Sequence, residues 1–206
     1  MQHFIPTILF VFSSFFSPKP ADADWELHTE EEGISIFTRL EEEARFKEVK
    51  ATFQIESSLD HFISVLNDAS AYTDWVYKCI KSERLETVNE SSFYYYIETD
   101  LPFPASNRDL IVFSTQWKDP VTGAIKSKSV GKMEFIPEKD GLVRIPYFQS
   151  QWIITPMGNG HLNVEYWGKT DPGGSIPAWI VNLGVAIGPI NTMKSLKARV
   201  LAETGS

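Results

Sequence analysis

Cysteine is all but missing. Cys79 stands alone among 206 residues, so no disulfide can close within the chain. A single thiol with no base beside it in the sequence reads as a packing group, not a nucleophile. Histidine is nearly as scarce. His3, His28, His61 and His161 fall on separate segments without ligand spacing, so neither a metal centre nor a cofactor is expected. No run of Lys and Arg interrupts a chain of net charge −8, which leaves nothing to draw it to nucleic acid or an anionic lipid surface. There is no G-x-S-x-G elbow, and Gly131, Gly158 and Gly160 form no phosphate-cradling loop. Repeats, low-complexity tracts and long linkers are also lacking, which argues for one domain and, by expectation, a monomer.

The apolar runs that are present are short. Phe4 to Phe16 has the length of a secretory h-region and is too short to span a bilayer as a helix. Ala21-Asp22-Ala23 then fits the small-residue cleavage pattern. Residues 1–23 are therefore expected to form a signal peptide and residues 24–206 the exported domain, periplasmic or secreted. Met1-Gln2-His3 lacks the usual positive charge, and an uncleaved N-terminal anchor is the alternative.

Beyond Gly33 the pattern is that of strands. Ile34–Thr38 is a short one, and Val49, Ala51, Phe53 and Ile55 alternate with polar residues as a half-buried strand does. Ser57 or Ser58 can then cap a helix whose apolar positions are Leu59, Phe62, Val65, Leu66 and Ala69. Segments 92–99, 110–117, 126–136, 142–154 and 162–169 are rich in aromatic and β-branched residues and read as further strands. A final helix is expected from Pro177 to Ala202. Its first half, with Ile180, Leu183 and Ile187, is apolar all round and must be covered on more than one side. Gly184, Gly188 and Pro189 mark a hinge in it, with a kink after Gly188. The class is α+β: a curved antiparallel sheet wrapped around a long C-terminal helix, leaving an apolar interior that suits a ligand.

Four stretches carry a family resemblance. They are Asp24-Trp25-Glu26-Leu27 with Gly33 to Phe37, Leu101-Pro102-Phe103-Pro104-Ala105-Ser106-Asn107-Arg108-Asp109, Val143-Arg144-Ile145 through Trp152 to Pro156, and Asp171-Pro172-Gly173-Gly174 through Pro177 to Trp179. Taken in order they resemble the START (steroidogenic acute regulatory protein-related lipid transfer) domain over nearly all of the chain past the leader. The resemblance implies a helix-grip fold enclosing one lipid or sterol, gated by the C-terminal helix with transient membrane contact, and no covalent chemistry. A helix-grip enzyme of cyclase or hydratase type, using the same cavity, is the alternative.

Within that frame Ile97, Thr99 and Val112 are expected to line the cavity. Members that bind choline lipids carry aromatic groups matching Ile97 and Val112, and a phosphate-pairing Arg near Tyr72-Thr73-Asp74-Trp75. Neither feature is present in this chain. A less charged lipid such as a sterol, fatty acid or diglyceride is favoured accordingly. Ser114 replaces another member's Arg and cannot make its ion pair, but it is expected among the ligand-binding residues, as are Ile180, Leu183 and Ile187 of the final helix. Gln149 and Tyr147 share a face and can bond either a ligand or backbone. Arg108 and Asp109 are neighbours on a strand and point to opposite faces, so they cannot pair with each other. Each is expected to fix the turn after Pro104 through backbone groups, with ligand contact as the alternative.

Overall fold

The computed structural model describes residues 25–204, so the expected leader lies outside the described residues. Its strands are β1 (Glu26–Glu31), β2 (Ile34–Arg39), β3 (Glu48–Glu56), β4 (Cys79–Asn89), β5 (Ser92–Thr99), β6 (Arg108–Lys118), β7 (Ile125–Gly131), β8 (Val143–Arg144), β9 (Tyr147–Gly158) and β10 (His161–Asp171). They form one sheet in the order β1-β2-β3-β10-β9-β7-β6-β5-β4, antiparallel except where β8 pairs parallel with β6. The sheet is not closed into a barrel; β1 and β4 are its edges. The register shifts between Leu27 and Thr29 in β1 and at three places along β4.

Helix α1 (Leu59–Asn67) starts where Ser58 accepts from the His61 amide, and buries Phe62, Val65 and Leu66. A 3₁₀ turn, Ala69–Asp74, follows it. The expected single C-terminal helix is two: α2 (Ala178–Gly184) and α3 (Ile187–Thr204). The break falls at Val185–Ala186, ahead of the expected kink. Pro189 stands in the first turn of α3, where an amide proton has no intrahelical partner to lose. Ile190, Met193, Leu196 and Val200 bury one stripe of α3 in the core with Ile34, Ile36, Ala51 and Phe53. Each such side chain contributes about 1.5–3 kcal/mol by leaving water.

Polar groups tie the framework outside the core. The buried Glu48 carboxylate accepts from Arg39 at 2.6 Å, Lys169 at 2.9 Å and Trp167 at 3.0 Å, joining β2, β3 and β10. Burial would raise its pKa, but the hydrogen bonds from Lys169, Arg39 and Trp167 outweigh it and hold the group down at about 2. Asp109 and Arg144 form a buried fork at 2.7 and 2.9 Å. Arg144 also donates to the carbonyls of Met133, Ile136 and Pro137, gathering the long β7–β8 connection against the outer face of the sheet.

Candidate functional site

The sheet curls over a cavity of about 360 Å³, near the low end of the range of roughly 300–1,000 Å³ usual for ligand sites. Alternation along the strands sets one wall. β5 contributes Tyr95, Ile97 and Thr99; β9 contributes Phe148, Ser150 and Trp152; β10 contributes Tyr166, Gly168 and Thr170. Leu66, Tyr72, Trp75 and Val76 close a second side. Val181 in α2, Val185 at the break, and Pro189, Thr192 and Met193 at three- and four-residue steps along α3 line the third.

Several expected residues are elsewhere. Ile97, Thr99 and Pro189 line the cavity, but Tyr147 and Gln149 do not, because the even-numbered residues of β9 face inward. Val112 is fully buried within the wall, and its cross-strand partner Tyr95 supplies the surface there. Ser114 is buried too, its hydroxyl 3.1 Å from that of Ser129. Ile180 and Ile187 are about half exposed, and Val181 and Val185 take the inward face in their place. The side chain of Leu183 lies outside the described ones. Gly184 ends α2 beside the break, while Gly188 is inside α3.

Arg108 does not pair with Asp109. Its Nε donates to the Pro172 carbonyl at 3.2 Å and its Nη2 to that of Gly173 at 3.1 Å, while Nη1 donates to Ser106. It thus fastens the turn that feeds α2 to the start of β6, a longer reach than the local turn expected. Gly173 and Gly174 both have positive φ, and a Cβ on Gly174 would come within 3.0 Å of Arg108 Nη2. Only glycine meets both demands. The Asn182 side chain, which sequence reasoning missed, accepts from the Lys47 amide at 2.9 Å and donates to the Arg45 carbonyl at 3.1 Å. No sequence pattern signals a contact so distant along the chain.

The chemistry of the lining is quiet. Among the described residues no carboxylate or imidazole lines the cavity, and Lys47 is its one charged member. Burial pushes the Tyr72, Tyr95 and Tyr166 phenols up, that of Tyr166 to about 12, so all three keep their protons near neutrality. Tyr72 is edge-on to Trp75 at 5.0 Å and to Tyr95 at 5.3 Å. Cys79 is buried and its thiol pKa is raised, chiefly by burial, which leaves it a poor nucleophile.

A family model described as the START domain matches residues 18–204. A crystal structure of a STAR-related lipid transfer protein fragment from Xanthomonas axonopodis superposes with a TM-score of 0.80 at 31% identity, covering 86% of this chain and 98% of that one. The phosphatidylcholine transfer protein of Rattus norvegicus is 29% identical over 189 residues, 86% of this chain and 85% of its own. An uncharacterized protein of Pseudomonas aeruginosa is 27% identical over 175 residues, 85% of this chain and 86% of its own.

Proposed function

This chain belongs to the START domain family, and on that premise we propose that it carries one lipid in the cavity between its sheet and α2–α3, without catalysis. The apolar and aromatic lining, with no carboxylate or imidazole among the described residues, carries this reading. Two of its relatives are named for lipid transfer, which supports this reading. The alternative, an enzyme in the same cavity, would need a group poised to move a proton near neutral pH. The raised phenols offer none.

The cargo is a weakly charged lipid, because a buried phosphate would lack the arginine that usually pairs it. Phosphatidylcholine is the second reading. The relatives of that name favour it, as do the aromatic walls at Tyr72, Trp75 and Tyr95, which could hold a quaternary ammonium. Native mass spectrometry of the protein purified from its own cells decides between them. A co-purifying neutral lipid or fatty acid is expected, and phosphatidylcholine as the dominant mass would reverse the ranking. The protein's own mass reports whether residues 1–23 have been removed, as export with cleavage requires, or retained as an anchor.

Cargo exchange needs an opening, and α2 is the piece that moves. The break at Val185–Ala186 separates it from the anchored α3, and Gly184 beside the break lowers helix propensity by about 1 kcal/mol relative to Ala. Trp179 and Phe103 are 66% and 96% exposed. Their segments are neighbours, since Arg108 joins the loop before β6 to the turn before α2. Together they present an apolar contact for a membrane surface. Replacing both by Ser should slow lipid uptake from neutral vesicles about tenfold and leave the occupancy reached at equilibrium unchanged. Equal uptake rates would remove these residues from the membrane contact.

A further inference from the structure

We propose that Tyr166, laid along β10 over Gly168, is the hydrogen-bond anchor of the cavity, and that the group it receives is an uncharged oxygen of the cargo, an ester carbonyl or an alcohol. This rests on the lipid-carrier reading above and adds to it the polar group that a greasy pocket must recognise.

Leu162, Val164, Tyr166 and Gly168 share the inward face of β10. A Cβ built on Gly168 would lie 2.4 Å from the Tyr166 Oη and 2.9 Å from its Cζ, closer than atoms can approach. The hydroxyl end of the ring therefore lies over the bare backbone of Gly168, and any larger residue there would push it away. Trp152, directly across the strand pair, packs on the ring at a centroid distance of 4.8 Å. The phenol is thus held between a glycine and a tryptophan in the wall of the cavity.

Its hydroxyl has nothing to bond. No hydrogen bond reaches it among the described residues, and burial is the sole influence on its raised pKa. Tyr72 differs, since its hydroxyl is used on the Leu66 carbonyl at 2.8 Å. The indole Nε1 of Trp75, another lining residue and 4% exposed, is also without a partner among the described residues, but it is buried away from the cavity surface. A phenol hydroxyl without a protein partner in an otherwise apolar cavity wall points to a ligand atom that bonds it. An indole can only donate, and a phenol donates and accepts.

The charge of that atom follows from what surrounds it. Neutral donors do not repay the desolvation of a phosphate or carboxylate, which needs a cation or several charge-assisted bonds. Among the described lining residues only Lys47 carries charge, and it belongs to the segment that Asn182 ties to α2. An ester carbonyl or an alcohol needs one or two bonds, and a phenol that both donates and accepts can meet either. Acylglycerols and sterols share this chemistry.

The test compares wild type with Tyr166→Phe, which removes one oxygen and keeps the ring, using dioleoylglycerol, cholesterol, oleate and hexadecane as separate probes in equilibrium binding. Tyr166→Phe should weaken dioleoylglycerol or cholesterol, whichever the wild type takes up, by about three- to tenfold and leave hexadecane unchanged. Gly168→Ala should reproduce that selective loss by displacing the ring. The hydroxyl deletion keeps the question open to decision should the alanine variant fail to fold. An equal loss for hexadecane, or none for either oxygenated lipid, would overturn the anchor. Oleate binding most tightly, with Lys47→Ala abolishing it, would overturn the uncharged class. A wild type that takes up none of the four probes would instead refute the carrier reading itself.

Discussion

Replacing Asp109 by Ala is expected to lower the unfolding free energy by about 3–5 kcal/mol, the usual cost of breaking a buried ion pair from one side. Both side chains of the pair are 2% exposed or less, and the fork closes at 2.7 and 2.9 Å. Removing the carboxylate leaves a guanidinium away from water with only carbonyls as partners. Arg144 keeps its charge even without that partner, because a guanidinium does not deprotonate near neutral pH. The side chain must instead move out, and the β7–β8 connection that it gathers moves with it. Urea unfolding followed by fluorescence measures the loss. For a domain of this size it corresponds to roughly 10 °C in Tm. Limited proteolysis should cut first between residues 132 and 142 in the variant. Exchanging both partners for apolar residues of similar volume should recover most of the loss, because a buried pair costs nearly as much to desolvate as it returns. An Asp109→Ala protein as stable as wild type would show that the fork holds nothing together.

Asn182→Ala should speed lipid release about tenfold without loss of fold. The amide of Asn182 makes two hydrogen bonds to the segment around Arg45 and Lys47, and each contributes about 0.5–1.5 kcal/mol. Helix α3 is held by much more. Lys194 reaches Glu31 and Glu32, Arg199 reaches Asp74, and His61 donates through Nε2 to the Val200 carbonyl at 3.0 Å. Loosening α2 therefore frees the lining at Val181 and Val185 and leaves the core stripe of α3 in place. Transfer of a fluorescent lipid between vesicles reads the rate, and thermal unfolding checks the fold. Gly184→Ala has room for its methyl group, the nearest contact being Ile187 at 4.0 Å, and should act in the opposite direction by stiffening the end of α2. An unchanged rate in both variants would mean that cargo leaves by another route.

The parts of the fold that bury one face were readable in the chain. Ile34 and Ile36, the alternation from Val49 to Ile55, and Ser58 ahead of Phe62, Val65 and Leu66 each place apolar groups at the period of the element they form. The edge strands were not readable. β4 carries Lys81, Glu83, Arg84 and Glu86, and most of it is partly or fully exposed, so it shows no buried period to detect. Tyr147 and Gln149 were placed one residue out of phase. Pro146 cannot donate to a ladder and divides β8 from β9, and past it Trp152 and Ile154 set even positions inward. The same rule, applied to Leu162 and Val164, would have found Tyr166. The inward face of the C-terminal segment depends on the break at Val185–Ala186, a tertiary event that helix propensity does not mark.

Open sheets carry a hazard at their margins, because unpaired backbone groups there can recruit the matching margin of another molecule. Here the outermost strands are poor templates for such stacking. β1 carries Glu26, Glu30 and Glu31 along a ladder that slips at Leu27–Thr29, and β4 slips three times among its own charges. A foreign strand would find neither a continuous row of partners nor a neutral approach. The slipped, charged margins thus close the sheet to edge-on stacking.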